Sequence, residues 1–541
     1  MPDVISKFYI HRGSDSSNLS IYQDGISGDQ TSWVDPSPLA GTNWYKLYGL
    51  TMTGQIIDSG LPTPVSRGIP KGPQWATRLY FPGPPGGEFF YDYAYLLING
   101  IALDSQGNMY VCGRGNPFGG NYILYVAKYS PAGAVMWRKF YQTSLNNSIC
   151  QDIAVDSGGN VLVTGWCCGT VDFDGHIKTA SANGDIFLLK IEPTAGAYIW
   201  STVFGGPDNA SLALQGGFGV ATDNSNNVWI TGAFMGDMTV AHSDFSGATG
   251  SVALTKLGQM NTLIAKFSSN GSVLWAKRFG RNNTASDQRA FGIAVDPSTG
   301  SSFMTGSFQG TVDFSQGTGT PLTASGLNAN LLTPFIAKFD NSGASLASVA
   351  LEVSGTASNP PGVTCGKKCR LDSSGNLILG GVFKNTTITI GSTTFTNKGT
   401  ATEDIYIAKL DKTTLAASWG FTCGSSNADD LTGLAIAPNG NIVFVGRFWN
   451  TMDVGPIRIT SNGVYDIFIA SITRDGVAAT AVGYGPLGDY ADQANALAVN
   501  TSGVSYVALT YGAAMSFSTT VSLPTTTPSN IVNGAILATV L

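Results

Sequence analysis

One short pattern recurs seven times along the chain: a small apolar run ending in Asp, a polar turn, then an apolar strand that ends in Gly or another small residue. It begins as Ile101-Ala102-Leu103-Asp104 with Ser105-Gln106-Gly107-Asn108, and returns at Asp156, Asp223, Asp296 and Asp372. Looser copies follow at Ala437-Pro438-Asn439-Gly440-Asn441 and Asn500-Thr501-Ser502-Gly503. Successive copies are 52, 67, 73, 76, 65 and 63 residues apart. Such spacings suit a four-stranded sheet with variable connections better than a short helical repeat. The turn chemistry has a cause: Asp and Asn hydrogen-bond their own backbone, and Gly takes positive φ at little cost.

Two further strands complete each unit. The third reads Val126-Ala127-Lys128-Tyr129, Leu188-Leu189-Lys190-Ile191, Ile264-Ala265-Lys266-Phe267, Ile336-Ala337-Lys338-Phe339 and Ile407-Ala408-Lys409-Leu410. Period-two alternation puts the Lys opposite its apolar neighbours, which reads as a packing position with a snorkelling head, not a catalytic lysine. The fourth carries Trp137, Trp200, Trp275 and Trp419, whereas two repeats have Ala347 and Thr480 near that position. That absence argues against a shared chemical role, and the Trp reads as packing.

Four strands with two apolar faces need neighbours on both sides, so the expectation is an all-β, seven-bladed β-propeller of four-stranded blades. The last unit supplies Ala496–Val499, Ser505–Leu509 and Gly534–Leu541 but lacks a Trp-bearing fourth strand, and Trp75-Ala76-Thr77-Arg78-Leu79-Tyr80 supplies one. Pairing of that outer strand with the three C-terminal strands would close the ring and cover a sheet edge. The expected organisation is a propeller over 75–541 preceded, over 1–74, by an anchoring arm or small β domain rich in turns.

The repeats resemble the SBBP, or seven-bladed β-propeller, repeat family, whose pattern is Gly-x-Ala-x-Asp-x-x-Gly-Asn-x-Tyr-Val-Thr-Gly, then Asp-x-Phe-x-Ala-Lys, then Gly-x-x-x-Trp. The match is clearest at Asp156 to Gly165 with Asp185–Lys190, and at Ala294–Asp296 with Phe335–Phe339. Later copies depart from it, with Ala437 and Asn500 at the Asp position and Gly380-Gly381 where Thr-Gly is common. The resemblance implies architecture, not activity.

Charged residues make up only 12% of the chain, while 68 Gly add to many Ser, Thr and Asn. That composition resembles a virion or extracellular surface. The N-terminal run Met1–Gly13 has no apolar segment of signal-peptide type, and no stretch is long enough to span a bilayer, so membrane insertion is not expected. Assembly into a particle inside a host would reconcile the two. A net charge of -6 argues against nucleic-acid binding, and pairs such as Lys277-Arg278 and Lys367-Lys368 form no basic tract.

No catalytic, cofactor-binding or metal-ligating residue emerges. The seven cysteines include Cys167-Cys168 and the pair Cys365/Cys369, but no His or second thiol pair completes a zinc set, and structural or free thiols are expected. His11, His176 and His242 lie outside any hydrolase motif. Asp185, Asp404 and Asp466 begin repeated strands, so periodicity gives the acidic residues structural work first. Loop oxygens would suit calcium, yet no turn has the ligand series of an EF-hand. Asp104, Asp156, Asp223, Asp296 and Asp372, with Trp75, Trp137, Trp200, Trp275 and Trp419, are therefore the structural residues of the repeat.

Function is read from the long connections near 233–261, 315–334, 349–368 and 512–530. The expectation is a non-enzymatic protein on a virion or cell surface, held to assembly subunits through residues 1–74 and presenting loops to a glycan or protein receptor. Two alternatives stand beside it: a purely architectural capsid or tail decoration protein, and a polysaccharide lyase or glycoside hydrolase working in an axial cleft where two carboxylates divide acid and base work.

Overall fold

The computed structural model describes the backbone of 5–13, 20–27, 42–51, 56–58 and 63–66, then 72–79 and 95–541 apart from 117–120, 181–183, 207–214, 243–246, 282–286, 325–330, 356–363, 400–401, 487 and 525–532. The chain divides into two compact units, Met1–Pro70 and Lys71–Leu541. In the first, Ile5–Gly13 lies between Ser20–Ser27 and Thr42–Thr51, and the last of these also pairs with Ile56–Asp58 and Thr63–Ser66.

The second unit repeats one antiparallel sheet seven times. Its first copy runs Tyr95–Leu103, Met109–Asn116, Ile123–Tyr129, Val135–Tyr141, each strand beside the next. The first strands of the other copies are Ile149–Val155, Gly216–Thr222, Arg289–Val295, Cys365–Leu371, Asp430–Ile436 and Gln493–Val499. Second and third strands are buried along almost their whole length, because both faces of each sheet pack on a neighbour. One such layer gathers Leu162, Leu188 and Trp200 from one sheet with Val220, Ile230 and Phe267 from the next.

Each hairpin turn is held by its own side chain. Asp156 Oδ1 accepts from the amides of Gly158 (2.9 Å) and Asn160 (2.8 Å), and Asp104, Asp223 and Asp372 do the same two and four residues on. Asp296 accepts from Ser298 and Thr299. Asn500 substitutes its amide oxygen, accepting from Ser502 and Val504.

The expected seven-bladed propeller is corrected to a coarser description: an all-β fold of repeated four-stranded antiparallel sheets. No sheet is closed into a barrel or curled; each is small, open and separate. What closure exists lies between sheets, where each first strand contacts the next and Gln493–Val499 contacts Tyr95–Leu103. The strand beside the C-terminal Asn533–Val540 is Gly72–Arg78, not Trp75–Tyr80, because a bulge at Ala538/Thr539 lets pairing continue to Gly72↔Val540. Tyr80 lies outside the described residues.

Nor are the units plain four-stranded sheets. Short ribbons separate second from third strands, as in Thr170–Phe173 with His176–Thr179, Met238–Ala241 with Ser251–Leu254, and Thr451–Val454 with Ile457–Thr460. Their alternate residues Val171, Phe173, Met238, Val240, Met452 and Val454 are buried, so they extend the core. The sixth sheet gains a fifth, parallel strand, Gly488–Ala491.

Candidate functional site: a polar mouth at the centre

The first strands are bulged, all seven at the same place. Each slips register against its second strand across one residue: Asn99, Gln151, Phe218, Phe291, Lys367, Thr432 and Asn495. A bulge leaves one residue unpaired and re-aims its side chain. Here all seven side chains line a single cavity of about 270 Å³, joined by Cys365, Lys368, Asp430, Leu431 and Gln493.

A glycine within the second strand gives the bulge its room. A Cβ on Gly165 would stand 2.0 Å from the Ile149 carbonyl oxygen, and one on Gly306 1.8 Å from that of Arg289. The same contact recurs at Gly113, Gly232, Gly381 and Gly446. Turn geometry explains none of this; the glycine is needed because a carbonyl occupies its side-chain space.

The mouth has distinct sectors. Phe218 and Phe291 stand side by side with ring centres 5.4 Å apart, and Trp166 meets Phe218 edge-on. Asn99 donates to the Cys150 carbonyl (2.9 Å) and Thr432 to that of Ala494 (2.5 Å), so these two tie neighbouring sheets together. Lys367 pairs with Asp430; burial, the largest single influence, pushes its pKa down, but Asp430 and Cys365 together outweigh it and the net shift is upward. The Lys368 side chain makes no hydrogen bond or ion pair among the described residues. Burial pushes its ammonium down, against the opposing pull of Asp152. Asp152 Oδ2 accepts from the Val220 amide (3.0 Å).

The repeat residues named from the sequence lie away from the mouth. The five Asp follow the far ends of the first strands. Three of them hold the third-strand lysine: Lys128–Asp104 at 3.5 Å, Lys190–Asp156 at 2.9 Å and Lys409–Asp372 at 2.8 Å. This corrects the snorkelling head, since Lys128, Lys190 and Lys266 are buried and paired or stacked, Lys266 over the Trp229 ring. Each Trp latches the next sheet. Trp137, Trp200, Trp275 and Trp419 donate to the carbonyls of Pro193, Ser269, Asn341 and Arg474 at 3.0–3.2 Å. Trp75 packs its ring on Gly133.

All seven cysteines are buried free thiols, Cys365 and Cys369 included. His176 stacks on Tyr198 at 3.8 Å, and the side chain of His11 lies outside the described residues. Among the described residues no three His, Cys, Asp or Glu side chains gather to hold a metal, and no helix is long and apolar enough to cross a membrane.

The mouth was not legible beforehand, because its seven residues share no type. The available signal was positional: a variable residue immediately before Gly100, Gly219, Gly292 and Gly433, just ahead of the apolar run.

No family model matches the chain, so the SBBP-repeat assignment is corrected and no family is assigned. Over 204 residues the chain is 28% identical to "Uncharacterized WD repeat-containing protein L264" of Acanthamoeba polyphaga mimivirus, covering 35% of this chain and 14% of that protein. Solved structures show slight likeness. Quinohemoprotein alcohol dehydrogenase from Comamonas testosteroni matches at TM-score 0.38 and 9% identity, covering 86% of this chain and 76% of that one. Rhamnogalacturonan lyase PL11 of Bacillus licheniformis matches at 0.29 and 13%, covering 88% and 70%. Likeness at this level carries no functional argument.

The display reading is also corrected. In their described parts the connections expected as recognition loops contribute paired strands, Met238–Ala241 with Ser251–Leu254 and Glu352–Ser354 with Thr387–Ile390 among them. The polar side chains converge on the central mouth instead.

Proposed function

We propose that the central mouth binds and cleaves an acidic polysaccharide by β-elimination, as a polysaccharide lyase does. The observation that carries this reading is the convergence of seven bulged side chains on one cavity. Phe218 and Phe291 offer apolar ring surface to the C–H face of a sugar. Gln151 and Asn495 offer amides to hydroxyls, and Lys367 offers charge to a carboxylate. Lys368, with its ammonium held down by burial, serves as the base that removes the proton beside the carboxylate. The adjacent C–O bond then breaks, a C=C bond forms, and the leaving oxygen takes a proton from water.

The test is incubation with polygalacturonate, alginate and hyaluronate, following the ultraviolet absorbance of the unsaturated product alongside calorimetric binding. Binding with product that Lys368→Ala abolishes supports the reading. Binding without product reduces it to a saccharide-binding site, and absence of binding to all three overturns it.

A further inference from the structure

A second charged feature lies farther along the same central channel. Beyond the bulge the seven first strands line a cavity of about 530 Å³. Two residues past Lys368, and hence on the same face of its strand, six sheets present alanine: Ala102, Ala154, Ala221, Ala294, Ala435 and Ala498. The fifth presents Arg370. At this register one large cation replaces a methyl group.

Arg370 is not consumed by the fold. Its Nη1 donates to the Cys369 carbonyl (2.9 Å), and it makes no ion pair among the described residues. Asp152 is the carboxylate that lines this cavity, and it holds the Val220 amide. Guanidinium presents a planar fork of donors that matches an oxyanion, and apolar walls strengthen the pairing by excluding competing water.

We infer that Arg370 forms an oxyanion-binding site in this cavity, distinct from the mouth, taking the carboxylate or phosphate group of a small molecule. The site does not rest on the polysaccharide reading, since none of the bulged residues lines it.

The experiment is titration of the full chain with inorganic phosphate and separately with succinate, by calorimetry at low salt; the stronger binder identifies the source of the oxyanion. Saturable binding of either, lost by at least about tenfold in Arg370→Ala, partly kept in Arg370→Lys and unchanged in Phe218→Ala, is the expected result, tenfold corresponding to about 1.4 kcal/mol. No binding of either anion, or equal binding by Arg370→Ala, overturns the inference. Should Arg370→Ala fail to fold, the same question is put to the native chain by phenylglyoxal modification read by mass spectrometry. Protection of Arg370 by the bound anion supports the site, and equal modification with and without it overturns it. Saccharide binding lost in Phe218→Ala while anion binding persists separates failure of the mouth from failure of this site.

Discussion

The indole N–H of Trp137 donates to the carbonyl of Pro193 across 3.0 Å, joining the fourth strand of one sheet to the turn before the fourth strand of the next. The Trp137 ring also lies against Gly196 of that turn, where a Cβ would stand 3.1 Å away. Trp137→Phe keeps most of the ring and loses the hydrogen bond, so it should lower stability by about 0.5–1.5 kcal/mol. Trp137→Ala removes the packing as well and should cost about 3–5 kcal/mol. Denaturant midpoints of the two variants, with unchanged slopes, check the difference.

Gly165 faces the Ile149 carbonyl, with no room for a side chain. Gly165→Ala should destabilise by about 1–3 kcal/mol or more through overpacking, and should displace the neighbouring bulge residue Gln151. Gly175 sits at positive φ with open space around it, so Gly175→Ala tests backbone strain without the clash. Thermal melting of both, with saccharide binding as a second readout, separates them: only Gly165→Ala should weaken the mouth.

Lys190 and Asp156 form a buried pair at 2.9 Å, and Asp156 also holds its turn. Asp156→Ala strands a buried ammonium and should cost about 3–5 kcal/mol. In the sixth sheet both partners are absent together, Ala437 standing for the Asp and Ser471 for the Lys. Pairing Asp156→Ala with Lys190→Ser should therefore recover a measurable part of the loss, and simple additivity in a double-mutant cycle would contradict coupling.

Burial pushes the carboxyls of Asp404, Asp429 and Asp492 up to about 7, and Asp404 adds to the rise at Asp429. These groups bind protons more tightly folded than unfolded. Their contribution is fully present below about pH 4, declines as pH rises toward 7, and is lost once pH exceeds about 7. Asp404→Asn keeps a neutral side chain at all pH values and should flatten part of that decline. Denaturation midpoints of both proteins between about pH 4 and about pH 8 test the slope; parallel curves would assign it elsewhere.

Local chemistry was written in the residues themselves. Asp104, Asp156, Asp223 and Asp372 bind amides two and four residues away, so each of these hairpin turns is determined within five positions of chain. The alternating Val171-Asp172-Phe173 and Met452-Asp453-Val454 runs also carried a two-residue period. Each of these strands is only four residues long.

What the sequence determined by itself was the hairpin, its repetition and the apolar faces that demand neighbours. What tertiary structure decided was the partner of each group. Trp137 finds its acceptor 56 residues away on another sheet. Asn99, Gln151, Phe218, Phe291, Lys367, Thr432 and Asn495 meet in one cavity although no residue type unites them. The physical reason is range: a turn amide lies within reach of its own Asp whatever the rest of the chain does. A bulged side chain gains a destination only when seven first strands pack side by side.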